Sequence, residues 1–241
     1  MTSDNQMTAP EIVAQLRRLA KDNYKRILLR HGIREPVLGV SVEELKKIQK
    51  RVKRDYRLAL DLYDTGIYDA MYLAGLVADD AKMTKKDLQR WVDHAQAGAL
   101  CSSTVAWVAA ESPHGWNLAR KWIDSKKEQV AAAGWTTLTS LVSIRDDADL
   151  DLPALKQLLQ RMEKTIHDQP DAVRYAMNGF VIGLGAYVKS LTELAIKTAE
   201  KIGTVEVDMG ETACQVPYAP DYLRKIKARG TVGKKRKAAR C

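Results

Sequence analysis

Apolar residues recur at three- and four-residue intervals along nearly all of this 241-residue chain, a period that predicts helices. A first helix can begin at Thr8, with Pro10 in its first turn, where a missing backbone N–H breaks no helical bond. Further helices are expected at about 42–53, 55–64, 67–79, 84–96, 99–111, 114–124, 127–143, 152–167, 171–187, 189–202 and 218–228. Start signals support several boundaries. Ser41 stands three residues before Glu44, and Thr84 three before Asp87, the spacing of reciprocal N-terminal caps. Ser112 before Pro113, Ser125 before two lysines, Leu152 before Pro153 and Gln169 before Pro170 mark others. The one β-like run is Thr204 to Asp208.

Connections this short make successive helices antiparallel neighbours. Small, apolar stretches recur at Tyr72–Ala78, Val105–Ala110, Val130–Trp135 and Met177–Ile182, roughly 25 to 45 residues apart, near the period of stacked helix pairs. The expected fold is all-α: a right-handed α-solenoid of HEAT-like antiparallel helix pairs over residues 1–228, followed by a basic, flexible C-terminal arm over 229–241. Such a solenoid presents a long concave surface suited to an extended partner.

Charge says what kind of partner. The net charge is +9, but residues 11–57 carry +8, residues 58–223 carry −7, and residues 224–241 hold nine basic side chains and no acidic one. Two basic ends around a mildly acidic middle suit a polyanion, whose bound counterions the lysines and arginines displace. Lys46, Lys47, Lys50, Arg51 and Arg54 on the 42–53 helix and just beyond it, with Lys234, Lys235, Arg236 and Lys237 in the arm, are the candidate phosphate contacts. A membrane surface is not expected, because the basic helix lacks a Trp/Phe/Leu-rich opposite face. The polar start Met1–Pro10 gives no secretory signal, and a cytoplasmic location is expected. Cys101, Cys214 and Cys241 lie too far apart for a zinc or disulfide framework, and the four histidines are scattered singly. Asp146 to Asp151 lacks the Gly and terminal Glu of a calcium loop and reads as a helix-capping loop. No metal and no cofactor are expected.

The segment Tyr24–Lys50, with Arg30-His-Gly, Glu35-Pro and Gly39-Val-Ser-Val-Glu-Glu-Leu-Lys-Lys-Ile, resembles the N-terminal region of the DNA alkylation repair family of HEAT-like proteins. Leu60-Asp-Leu-Tyr-Asp64 and Ala70-Met-Tyr-Leu-Ala-Gly-Leu-Val-Ala78 are similar to its second helical pair, and the likeness fades after about residue 204. The resemblance implies a C-shaped solenoid that cradles double-stranded, alkylated DNA. Its active members release cationic bases such as 3-methyladenine and 7-methylguanine, using a carboxylate to stabilise the positive sugar of the transition state. They carry a Trp–Asp pair with three residues between, and a further Trp on a later helix. Here the pair falls on Gly98 and Ser102, and the later aromatic on Phe180, within Val173-Arg-Tyr-Ala-Met-Asn-Gly-Phe180. A shifted reading, Trp91 with Asp93, places the two on different helix faces.

Other residues remain as a candidate working surface. Trp107 and Glu111 are four apart and share a helix face, so with Trp135 they can hold a cationic base by charge and π contact, and Glu111 is the best single catalytic carboxylate. The competing reading makes both tryptophans core and Glu111 a helix end. Trp116 and Trp122 read as packing. Arg174 and Asn178 lie near Phe180, and Asn178 either bonds a neighbouring helix or faces the groove. Base excision, DNA binding without excision, and a protein-binding helical scaffold all stay open.

Overall fold

Helices that are apolar on one stripe and joined by short loops bury those stripes most simply by stacking in pairs, and this chain does so. The computed structural model describes residues 7–210, 212 and 214–240. The helices are α1 (Ala9–Leu19), α2 (Asp22–Arg30), α3 (Val42–Val52), α4 (Tyr56–Tyr63), α5 (Tyr68–Val77), α6 (Lys85–His94), α7 (Gly98–Leu100), α8 (Ala106–Glu111), α9 (Gly115–Trp122), α10 (Glu128–Ile144), α11 (Leu152–Thr165), α12 (Asp171–Tyr187), α13 (Thr192–Ile202) and α14 (Ala219–Ala228). A π-helical stretch, Cys101–Val105, joins α7 to α8 so that the three run on as one rod. Among the described residues there is no strand, and Thr204–Asp208 is loop. Thr84 and Asp87 cap each other as read from sequence, whereas at Ser41 one half of the expected box forms: Ser41 Oγ accepts the Glu44 N–H, and the Glu44 carboxylate pairs with Lys47. Asp151 caps α11 through the Ala154 N–H, so the acidic loop serves a helix start.

Two layers result. The outer layer holds α4, α6, α9, α11 and α13, and the inner layer holds α5, α7–α8, α10 and α12. Inner helices are packed on both flanks and from behind, which is why α10 and α12 are apolar around most of their circumference. They approach closely because glycines face threonines. A Cβ on Gly75 would lie 2.6 Å from Thr104 Cγ2, and one on Gly183 2.7 Å from Thr139 Cγ2. Replacing Gly75 by Val is expected to wedge α5 from its neighbour at a cost of about 2 kcal/mol, the usual penalty of overpacking. Thermal unfolding should show this as a Tm lowered by roughly 4–8 °C.

The inner helices run parallel. Glu128 accepts the Ala172 N–H while Thr139 faces Gly183, and both partners lie 44 residues apart, so α10 and α12 keep one register along their length. Parallel helices align their dipoles, and their carbonyl-bearing C-terminal ends all emerge on one edge. The basic tail lies along that edge. The Gly233 N–H donates to Ala186 O (2.8 Å), the Arg236 N–H to Ser143 O (2.8 Å) and Lys235 Nζ to Val142 O (2.9 Å). Arg240 closes the run: its guanidinium donates to Gly75 O (2.7 Å), Ala78 O (3.2 Å), Glu111 (3.2 Å) and both oxygens of Asp80. The expectation of a flexible arm over 229–241 is therefore corrected for its described part, 229–240. The physical reason is complementarity between a run of cations and four helix C-termini. Cys241 lies outside the described residues.

Candidate nucleic-acid interface

The opposite, N-terminal ends of the inner helices border a cleft of 640 Å³. Its floor is built from small residues: Gly98, Ala99 and Ser102 from the α7 rod, Ala132 and Thr136 from α10, Ala176 and Gly179 from α12. Helices that meet through glycine and alanine keep the floor low, and the long side chain that reaches over it is Gln129, whose flexible end lies against Gly98. The rim is larger. Tyr175 is exposed on α12, Val207 and Met209 come from the α13–α14 loop, and His31 comes from the end of α2.

His31 reaches the cleft because a buried carboxylate holds the chain that carries it. Asp69 on α5 is 1% exposed and accepts three consecutive backbone N–H groups, from Leu38 (2.6 Å), Gly39 (3.2 Å) and Val40 (2.7 Å). Gly39 adopts φ of 87°, a left-handed conformation suited to glycine, and the Lys21 N–H donates to its carbonyl (3.1 Å). A Cβ at Gly39 would collide with Lys25 N at 2.6 Å, so the absence of a side chain lets α2 sit directly on this turn.

Three carboxylates border the cleft: Glu128 and Asp171 are engaged at helix starts, and Asp208 accepts the Gly210 N–H (2.8 Å). Glu128 holds the Ala172 N–H, and Asp171 accepts from the Arg174 guanidinium and from the Asp208 N–H (3.0 Å). The Arg174 bond, then the Asp208 amide, holds the Asp171 carboxyl below its usual pKa, so it stays ionised. At Gly98 a Cβ would meet Gln129 Oε1 at 2.5 Å, so a larger residue there displaces the flexible end of Gln129. Gly179 has open space before it.

Most of the aromatic and acidic candidates lie elsewhere. Trp135 and Phe180 are buried core, with ring centroids 5.4 Å apart. Trp107 is buried edge-on against Tyr72, at 5.7 Å. Trp91 stacks on Tyr63 at 4.2 Å, inside the protein. Glu111 ends α8 on the tail edge, away from the cleft, where it binds the Ala239 N–H (2.9 Å), Arg240 and Arg54. For Trp107, Trp135 and Phe180 the cause is shared: an inner helix is covered on nearly all sides, so large apolar residues on it are core. Asn178 donates to Pro217 O (2.9 Å) and thereby anchors the loop before α14. Burial also pushes the Cys101 thiol up to about 12, so it stays protonated.

The basic candidates divide. Lys47 pairs with Glu43 and Glu44, Arg51 donates to Gln15, and Arg54 pairs with Asp80 and Glu111. Lys235 pairs with Asp147, and Arg236 is tied by its backbone to Ser143. Lys46, Lys50, Lys234 and Lys237 have no ion-pair partner among the described residues; Lys50, Lys234 and Lys237 are exposed and Lys46 half-buried. Sequence periodicity did not single out α2, yet Arg26, Arg30 and Arg34 are exposed and unpaired there among the described residues. The signal was the +8 of residues 11–57, to which these arginines contribute.

A family model described as DNA alkylation repair enzyme matches residues 12–223. The uncharacterized protein Lin0241 of Listeria innocua serovar 6a is 29% identical over 228 residues, covering 92% of this chain and 99% of that protein. Lmo0209 of Listeria monocytogenes serovar 1/2a, also uncharacterized, is 28% identical over 228 residues with the same shares. A solved structure described as a new family of proteins related to the HEAT-like repeat DNA glycosylases, with affinity for branched DNA structures, superposes with a TM-score of 0.90. It is 34% identical and covers 98% of this chain and 100% of its own.

Proposed function

Since this chain belongs to the DNA alkylation repair enzyme family, with a HEAT-like repeat fold, we propose that it binds branched DNA in its concave cleft without excising bases. The observation that carries this reading is the cleft floor itself. At the two positions that correspond by resemblance to the family's Trp and Asp stand Gly98 and Ser102, side by side on an open floor of small residues. Neither supplies a carboxylate beside a sugar, and the three carboxylates at the border, Glu128, Asp171 and Asp208, are tied to backbone N–H groups. What the cleft offers instead is room and a basic flank on α2, while Glu128 and Asp171 answer the starts of α10 and α12. Room favours a bulky junction over a single displaced base, and cations hold its crowded phosphates. The affinity of the 34% identical structural relative for branched DNA supports the same ligand class.

The test compares a four-way junction with a linear duplex of equal length, and follows base release from methylated duplex in parallel. The expected result is binding about tenfold tighter to the junction, a difference of about 1.4 kcal/mol. The logarithmic salt slope should lie near −5, for about six phosphates neutralised. No 3-methyladenine or 7-methylguanine should appear at concentrations where the DNA is bound. Equal affinity for both DNAs, or release of either base above a protein-free control, overturns the reading.

A further inference from the structure

Among the described α-helices, α2 alone buries no residue. Tyr24, Lys25 and Leu28 are half-buried, which leaves Ile27 46% and Leu29 39% exposed. Two large aliphatic side chains facing water on one short helix lose hydrophobic stabilisation unless something covers them. Their surroundings say what covers them. Helical spacing puts Arg26 and Arg30 between Ile27 and Leu29 on the outward face, with Arg34 just beyond the helix. None of these three arginines has an ion-pair partner among the described residues. Ile27 also stands four residues before His31 and so on the same side of the chain, and His31 lines the cleft. An aliphatic side chain flanked by free guanidinium groups therefore stands at the cleft mouth.

That combination matches one feature of nucleic acid. In a linear duplex every base-pair face is covered by its neighbour, and only charge and groove edges are presented. At a branch point stacking is interrupted, so an apolar base-pair face lies beside the phosphates of strands that diverge. Aliphatic wedges that pack on unstacked bases are a recurrent device of proteins that bind bent or kinked DNA. We propose that α2 is a branch-point wedge: Ile27 packs on the base pair exposed at the junction, and Arg26, Arg30 and Arg34 hold the phosphates on either side. This rests on the branched-DNA reading above and adds to it the element that recognises the branch. The Asp69 cradle fixes where the wedge stands relative to the cleft.

The experiment uses the full chain with a four-way junction carrying 2-aminopurine at the branch point, and a linear duplex of the same length. Wild-type protein should raise the probe's fluorescence, because an aliphatic side chain does not quench it as a stacked base does. Ile27→Ala should weaken junction binding about tenfold, abolish the rise, and leave duplex binding within about twofold. Ile27→Leu, which keeps the aliphatic surface, should restore both. Arg30→Ala should instead weaken both DNAs and reduce the salt slope by about one. Ile27 is half exposed, so its replacement leaves the fold intact. An Ile27→Ala protein that binds the junction as tightly as wild type and keeps the fluorescence rise overturns the wedge while the preference for junctions stands; that is also the outcome if this face docks a protein. Loss of junction preference in the wild type itself overturns the reading beneath it.

Discussion

Replacing Asp69 with Ala is expected to destabilise the protein by about 4 kcal/mol. The carboxylate is 1% exposed and answers three backbone N–H groups on one turn. Removing it leaves three buried donors without a partner, each worth roughly 1–3 kcal/mol when stranded, with water able to relieve part of the loss. Asp69→Asn should fall between, since a single amide oxygen serves fewer donors and its NH2 group opposes the third. Urea unfolding checks the order wild type, Asn, Ala. The same turn seats α2, so the Ala variant should also bind DNA more weakly, even though Asp69 lies beneath the surface and touches no ligand. Equal stability of wild type and Ala variant would mean the turn is held by its apolar contacts alone.

Arg240→Ala is expected to cost about 3 kcal/mol, because it strands a buried carboxylate that the guanidinium otherwise answers. Asp80 is 3% exposed on its side chain and Arg240 12%. Burial raises the Asp80 pKa above the usual carboxylate value, and Arg240 draws it part of the way back. An acid with a raised folded pKa is most awkward when ionised, so protonation as pH falls through that pKa favours the folded state. Without Arg240 the pKa rises further. The gap in stability between wild type and Arg240→Ala should therefore be widest near neutral pH and narrow in acid. Unfolding measured at several pH values reads this directly, and a gap independent of pH would assign the loss to packing around Ala239 instead. Arg240→Lys should recover only part of the stability, since an ammonium cannot bridge two carboxylates and two carbonyls together. A solenoid otherwise links only neighbouring repeats. This strap, from Ala186 to Asp80, spans several repeats at once.

Helices were legible because their signals are local. The 3.6-residue period, the Ser41 and Thr84 caps and the prolines at helix starts each act within a turn or two of chain. The stacking of pairs followed from short loops, and the resemblance carried by Tyr24–Lys50 pointed to the family. The site was less legible. Trp107 looked like a binding aromatic because it shares a helix face with Glu111, and Phe180 because the resemblance sets it at an aromatic position, but burial depends on which helices flank α8, α10 and α12. Glu111 shares a helix face with Trp107 and still serves the tail, because its partner lies 129 residues away. Arg26 and Arg30 were not singled out because no separate helix was expected between the one at Thr8 and that at 42–53, and nothing local says that Ile27 and Leu29 stay exposed while Leu28 packs on the core.

By itself, then, the sequence determined most of the elements, their pairing and the excess of positive charge at the two ends, since each depends on interactions between residues close in the chain or on a sum over it. The tertiary structure alone decided which charges remain free and which are consumed. Ion pairs such as Arg54 with Glu111 and Lys235 with Asp147 join segments far apart, and whether a cation meets a carboxylate or solvent is set by the register of parallel helices. It likewise decided that part of the basic C-terminus, Lys235 and Arg240, is tied to helix ends and carboxylates. The aligned dipoles that attract it exist only once α5, α8, α10 and α12 lie side by side.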